Sequence, residues 1–334
     1  MRAWQIVSDG GIDALKLAEV ETPEPGHGQV RVRIEATSLN FRDLMTVKDP
    51  VARKLPYPRV PNSDGAGVVT AIGAGVTEVA VGDRVASCFF QNWADGACSV
   101  GAMNSALGGA LDGVLAEEVV LEASGVVPVP DHLSSIEAAT LPCAALTAWN
   151  AIVGVGKTKP GDTVLLLGTG GVSIFALQFC RMIGARAIIT SSSDEKLARA
   201  SEIGAWKTVN YAKHPDWDAE VQKLTGGVGV DLTVEVGGAG TLSRSVGATR
   251  VAGTVALIGV LTGGQIDPTL IMRKSITLQG IYVGPRRMFQ DMNAAIAADG
   301  LKPVVHETFG FEEAPTAFHA LEGAKHFGKV VVAV

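Results

Sequence analysis

The residues best placed to do chemistry are three glycines. They fall in the run Thr163–Ser173, TVLLLGTGGVS, where a β-branched and leucine segment (Thr163–Leu167) breaks into the turn Gly168-Thr169-Gly170-Gly171. Helical spacing follows at once in Val172, Phe175, Ala176, Leu177 and Phe179, ending near Gly184. A strand that feeds a glycine turn opening a helix can hold a diphosphate. Backbone N–H groups approach the anion where no side chain intervenes, and the helix N-terminus adds partial positive charge. A second strand, Arg186–Thr190, and a second helix, Asp194–Gly204, supply the context that a glycine string alone lacks. Dinucleotide binding is therefore expected, with Gly168, Gly170, Gly171 and Val172 at the diphosphate. The third glycine of the usual fingerprint is replaced by Ser173.

Positioning such a turn takes a sheet. Beyond the first two strands, Thr208–Tyr211, Asp231–Val236, Thr254–Val260 and Ser275–Val283 read as strands, alternating with helices at Asp194–Gly204, Trp217–Thr225 and Thr241–Val251. That alternation predicts an α/β fold containing a Rossmann-type, doubly wound parallel sheet. Upstream, the texture is different: short β segments such as Gln29–Ile34, Gly65–Ile72 and Arg84–Phe89, separated by glycine and proline turns. Downstream come a helix at Phe289–Asp299, a strand near Val304–Phe309, a helix at Ala314–Ala324 and a strand at Gly328–Val334. The organisation expected is a β-rich domain over 1–125, a dinucleotide-binding domain over 126–284, and a segment 285–334 too short for its own core that returns to the first. The glycine- and alanine-rich stretch Gly101–Gly113 reads as a mobile loop or lid.

Bulk properties narrow the classes. The chain has 334 residues, 47% hydrophobic and 19% charged, which describes a folded globular protein. A net charge of −6 gives no basic face for nucleic acid. No apolar run approaches the ~20 residues of a membrane helix, and Met1–Ser8 begins as a strand rather than a leader, so a cytoplasmic protein is expected. Cys88, Cys98, Cys143 and Cys180 are too widely spaced for a disulfide framework and read as reduced thiols.

Several further runs carry a family resemblance. Asn40-Phe41-Arg42-Asp43 resembles the NFRD run of quinone oxidoreductases and polyketide enoyl reductases. Gly65-Ala66-Gly67-Val68-Val69 with Val81-Gly82-Asp83-Arg84-Val85 is similar to the GxGxVV…xGDRV pattern of the medium-chain dehydrogenase/reductase superfamily. Leu141-Pro142-Cys143-Ala144-Ala145-Leu146-Thr147-Ala148-Trp149 looks like the helix that enters its cofactor domain. The resemblance implies a GroES-like β domain beside the Rossmann domain. It also implies a small-molecule substrate and a homodimer paired through the edge strand Ser275–Val283 of the Rossmann sheet. Zinc members place Cys where Asn40 stands and a His-Glu pair where Ser63-Asp64 stand, so only Cys143 lines up with a ligand position. Three protein ligands are needed for a catalytic zinc; no metal is expected.

By the same resemblance, Ser191 stands where NAD-binding relatives carry the acid that bonds the ribose 2′-hydroxyl. A small hydroxyl leaves room for a 2′-phosphate; Ser192 adjoins it, Lys196 adds positive charge, and Tyr211 matches a phosphate-contacting position. NADPH is the expected cofactor. Asp194 complicates this, though a first-turn acid also favours the helix dipole. Thr147, Gly259-Val260 and Lys329 match other cofactor-contacting positions.

Without a metal, reduction of a simple ketone needs another electrophile, whereas hydride delivery to a quinone or conjugated enone spreads charge into an enolate or hydroquinone anion. The expected activity is therefore NADPH-dependent reduction of a quinone or enone in a cleft between the domains. Asn40 would donate to a substrate oxygen or to the nicotinamide carboxamide, Tyr57 would be a proton donor, and Asp43 and Asp64 would be polar groups of the site. Two alternatives stand beside it: an NADP-dependent alcohol or ketone oxidoreductase, and a non-catalytic NADPH-binding scaffold.

Overall fold

The computed structural model describes all residues 1–334 and divides them into two compact units, Met1–Leu146 with Gly284–Val334, and Thr147–Val283.

The first unit is built on a seven-stranded sheet whose central antiparallel pair is Gln29–Ser38 against Asp64–Ile72. Alternation shapes the first of these: Val30, Val32 and Ile34 are buried while Arg31 and Arg33 face outward to Glu24 and Glu35. Gly67 is required where the two strands meet, because a Cβ there would lie 1.9 Å from the Arg33 carbonyl oxygen. Arg84–Ser87 and Val126–Pro128 extend the sheet on one side, and Glu118–Glu122 also pairs with Gln29–Ser38. On the other side the chain's last strand, Lys329–Ala333, pairs antiparallel with Gln29–Ser38, setting Val331 opposite Ser38, and carries Val305–Gly310 parallel to it. The segment Gly284–Val334 thus belongs to the β-rich unit. Its helix Ala314–Glu322 buries Ala317, Phe318 and Leu321 against Trp4, Ile12, Leu39, Leu44 and Val47.

The first boundary falls at Leu146/Thr147 rather than at 125/126. Residues 126–146 belong to the first unit because Val126–Pro128 joins its sheet, and the segment Leu141–Ala145 is tied to it by the Cys143 N–H bond to Asp64. The stretch Gly101–Gly113 is packed rather than loose. A short helix, Val100–Met103, is capped by Ser99 Oγ; Ala106 and Leu107 are buried, and Arg42 bonds the Leu107 carbonyl.

The second unit is a six-stranded parallel sheet in the order Lys207–Asn210, Arg186–Ser191, Thr163–Leu167, Val230–Glu235, Thr249–Leu257, Thr277–Gly280. Every residue of Thr163–Leu167 is buried, as expected of a strand covered on both faces. Two boundaries differ from the sequence pattern. The helix Ala239–Ala248 stops early, where Thr249 Oγ1 donates back to the Ser245 carbonyl, and the strand starts at Thr249. The edge strand shrinks to Thr277–Gly280, because Ser275 (φ 51°) and Val283 (φ 56°) adopt left-handed backbone that an extended ladder excludes. No helix is long and apolar enough to cross a membrane.

Candidate functional site

In the second unit, Thr163–Leu167 delivers the chain into the glycine turn. Gly168 takes φ +70°, a conformation that favours glycine. Gly170 is the N-cap of the helix Gly171–Ile183, with no side chain capping that end. The first-turn N–H groups are therefore left for an anion. Ser173 does not obstruct it. Its side chain is buried and its Oγ donates 2.6 Å back to the Leu167 carbonyl, occupying the space the missing glycine would leave.

At the end of the next strand, Ser191 pairs with Asn210 across the ladder, and its Oγ accepts from the Ser193 N–H. Ser193 Oγ in turn caps the helix Asp194–Glu202. Tyr211 is exposed, its backbone N–H on the Ser191 carbonyl, so the two residues are neighbours. Ser192 is exposed. Asp194 is engaged by Lys213 Nζ (2.6 Å) and Asn210 Nδ2 (2.7 Å), and these bonds hold its pKa below the ordinary value. Burial, then the charge of Arg199, lowers that of Lys196, which Glu195 opposes. Thr147 is buried. Gly259 has a structural reason to be glycine, since a Cβ would meet the Val236 carbonyl carbon at 2.2 Å; Val260 beside it is exposed.

The first unit holds a separate buried polar cluster. Asn40 ends the central strand and starts the helix Phe41–Lys48, its backbone N–H donating to Asp43 Oδ2 at 2.9 Å. Asp43 is fully buried and shares its other oxygen with Arg42 (3.0 Å), whose guanidinium also lies over the Phe89 ring. Asp64, opposite Ser38 in the ladder, accepts from Ser63 Oγ at 2.6 Å and from the Cys143 N–H at 3.0 Å. Burial raises the Asp64 pKa and the charge of Asp43 adds to this, while the ammonium of Lys329 and the hydrogen bonds from Ser63 and the Asn40 side chain oppose it. The Cys143 thiol is pushed up as well, by desolvation first and then by Asp64, so it is held as a thiol rather than a nucleophilic thiolate.

Lys329, expected from the resemblance to contact the cofactor, places its ammonium on Asn40 Oδ1 (2.6 Å) and the Leu39 carbonyl (2.7 Å), with only 3% of the residue exposed. Asn40 Nδ2 is enclosed by protein; it makes no well-formed hydrogen bond, and the acceptor its side chain faces is the Asp64 carboxylate. Tyr57 does not join this cluster: it lines a shallow depression with Gln5, Val7, Lys16, Ala18 and Pro58, and no hydrogen bond links it to Asn40, Asp43, Asp64 or Lys329. Residue type in a proline-flanked loop carries no information on the direction of a side chain. The Asn40–Lys329 pair escaped the sequence because 289 positions separate the partners.

A glycine-turn parallel sheet and a β-rich unit closed by the chain's own C-terminus define a dinucleotide-dependent oxidoreductase of two domains. Residues 26–131 match the alcohol dehydrogenase GroES-like domain model and residues 171–298 the zinc-binding dehydrogenase model. A zinc-type alcohol dehydrogenase-like protein of Schizosaccharomyces pombe is 42% identical, covering 97% of this chain and 96% of its own. Among solved structures, an NAD-dependent alcohol dehydrogenase superposes with TM-score 0.92 at 36% identity over 100% of both chains. A mycobacterial protein complexed with NADPH and a mycobacterial quinone oxidoreductase superpose with TM-scores 0.83 and 0.82, each at 29% identity over 100% of both chains. The chain belongs to the medium-chain dehydrogenase/reductase family and is an NAD(P)-dependent oxidoreductase.

Zinc is implied by the name of the matched model, and the donor set does not fit it. No three His, Cys, Asp or Glu side chains are grouped to hold a metal ion. Beside Asn40 stands the Lys329 ammonium, which has no lone pair to offer a metal.

Proposed function

We propose that this protein is an NADPH-dependent, zinc-independent reductase of quinones or α,β-unsaturated carbonyl compounds. The observation that carries the reading is the Asn40–Lys329 pair: a buried amide donor backed by an ammonium stands where a metal-dependent relative would need ligands. Such a donor suits an acceptor whose charge is already delocalised by conjugation, and is a weak substitute for a Lewis acid on an isolated ketone. Bound NADPH supplies the hydride. The glycine turn at Gly168, Gly170, Gly171 and Val172 binds the diphosphate, and Ser191, Ser192, Lys196 and Tyr211 receive the 2′-phosphate. Thr147, Gly259 and Val260 complete the cofactor contacts. The Asn40 side chain is the amide that meets the acceptor oxygen or the nicotinamide carboxamide, with Asp43 holding its backbone N–H and Asp64 opposite Ser38 in the adjoining ladder.

Chelator-treated protein is expected to oxidise NADPH with a quinone or a simple enone and to leave a saturated ketone unreduced. Added zinc should change the rate by less than about twofold. Activity that is lost to the chelator and restored by zinc would sink the reading; reduction of the ketone alone would move it to carbonyl chemistry.

Cofactor choice has its own test. KM for NADPH is expected to lie below that for NADH, and Ser192→Asp, on an exposed side chain, should raise the NADPH value roughly tenfold by like-charge repulsion, about 1.4 kcal/mol. Equal KM values for the two cofactors would refute the preference.

The chain is proposed to pair as a homodimer through the sheet edge Thr277–Gly280, beside which Val260, Leu261, Met272 and Tyr282 are exposed. Light scattering should return twice the 34.5 kDa chain mass; a monomer at working concentration would contradict it.

A further inference from the structure

We infer that Lys213 is a specificity-determining residue for the cofactor: by pairing with Asp194 it withholds that carboxylate from the ribose 2′ position and leaves the position to a phosphate. This deepens the NADPH reading and rests on it. Sites for NAD use an acid beyond the second strand to accept from the 2′-hydroxyl, and a free carboxylate there repels a 2′-phosphate. This chain does carry an acid in that neighbourhood. Asp194 is the first residue of the helix that follows Arg186–Ser191, and its side chain is 62% exposed.

Both oxygens of Asp194 are engaged, and on the side away from the glycine turn. The sheet order sets Arg186–Ser191 between Thr163–Leu167, which delivers that turn, and the outer strand Lys207–Asn210. Asn210 ends the outer strand and donates from Nδ2 to Asp194 Oδ1 (2.7 Å); Lys213 Nζ, from the turn that follows, donates to Oδ2 (2.6 Å). The turn is itself fixed. Asn210 is 8% exposed, and its Oδ1 accepts from the Ala212 and Lys213 N–H groups at 3.0 and 3.3 Å, which leaves only Nδ2 to face the acid. The Lys213 N–H also bonds the Asn210 carbonyl at 3.2 Å. Tyr211 leaves the same strand end with its N–H on the Ser191 carbonyl, so the segment that draws the acid aside also carries a side chain assigned to the phosphate.

Neither capping nor stability accounts for the pair. Ser193 Oγ accepts from the Lys196 N–H and caps the helix without Asp194. An ion pair with both side chains more than half exposed contributes little to folding, so its consequence is the field it leaves at the strand end. The bonds from Lys213, then Asn210, hold the Asp194 pKa below its ordinary value, so the acid is ionised at neutral pH. Paired, carboxylate and ammonium are close to neutral for a neighbouring ligand; unpaired, the carboxylate is not.

The experiment measures dissociation constants for NADPH and NADH by nicotinamide fluorescence at low ionic strength, where exposed charges are least screened. Wild type, Lys213→Met, Asp194→Asn and the double variant are compared, with thermal unfolding alongside. Lys213→Met is expected to raise the NADPH constant about tenfold and to leave the NADH constant unchanged or lower, because only the phosphate is repelled by the bared carboxylate. Adding Asp194→Asn to Lys213→Met should return the NADPH constant to within about twofold of wild type. That rescue separates the proposal from direct contact, since a lysine that bonds the phosphate itself is not replaced by removing an acid. A double variant as weak as Lys213→Met, or a Lys213→Met with wild-type NADPH binding, would overturn the proposal. Lys213→Gln repeats the comparison should the methionine variant not fold. A wild type that binds NADPH and NADH equally would instead refute the NADPH reading, while the rescue pair still decides the role of Lys213.

Discussion

Replacing Asn40 by alanine is expected to lower kcat for quinone and enone reduction by about 10²–10³-fold, the loss typical of removing one preorganised donor to a developing oxyanion. Asn40 Oδ1 is held by Lys329, its Nδ2 faces the Asp64 carboxylate, and the backbone around it is fixed by the Asp43 bond to the Asn40 N–H. The substitution leaves the Asp43 bond in place, so the helix Phe41–Lys48 should still start where it does, but it strips the buried Lys329 ammonium of one of its two acceptors, so stability should fall alongside kcat. Steady-state kinetics with both acceptors, set beside an unfolding curve, separates the two. A fall of less than about tenfold would show that the amide is not the group that stabilises the charge, and would leave Asn40 as a helix cap. Asn40→Asp would sharpen the result: a carboxylate bonds Lys329 well but offers no donor, so it should be as inactive as alanine while remaining folded.

Phe318→Ala is expected to cost about 3–5 kcal/mol of stability, in the range for truncating a fully buried phenylalanine. Phe318 is 0% exposed on the returning helix Ala314–Glu322 and shares a core with Trp4, Leu39, Leu44 and Val47. It therefore joins the last part of the chain to the first. Denaturant unfolding followed by tryptophan fluorescence would measure it, Trp4 being in the same cluster. Leu39 and Leu44 flank Asn40, and Lys329 follows the Phe318 helix into the sheet, so activity should fall with stability before the global transition is reached. A cost under about 1.5 kcal/mol would mean that the returning segment is not an integral part of this core.

Much was legible in the sequence because it is governed by local physics. The glycine turn, the apolar strand before it and the amphipathic helix after it are contiguous, and each needs only its own residue types to form. The βαβ alternation carries topology as well, since right-handed crossovers leave few ways to order such strands. The need for residues 285–334 to return to the β-rich part followed from size alone. Even the replacement of the third glycine was readable as a departure, although only the fold shows that the Ser173 hydroxyl turns back to the Leu167 carbonyl. Boundaries were less legible where backbone conformation, not side-chain type, decides. Ser275 and Val283 look like strand residues but take left-handed φ, so the expected edge strand is cut to Thr277–Gly280.

The polar site belongs to tertiary structure. The family resemblance points to Asn40 and Asp43 within one run and to Asp64 in another, but which groups meet is set by strand register. Ser38 faces Asp64 on one side and Val331 on the other, and this is what carries Lys329 to Asn40. A shift of one residue in that pairing would turn Lys329 to the other face and leave the ammonium buried without its two acceptors. No periodicity or composition encodes a contact between positions so far apart in the chain. By itself the sequence determined the parallel sheet and the glycine turn; only the packed β unit decided that Tyr57 lies apart from the buried polar cluster and that a lysine ammonium backs the asparagine. The reason is range: propensity and turn chemistry act over a few residues, whereas a buried charge is placed by every element that must pack around it.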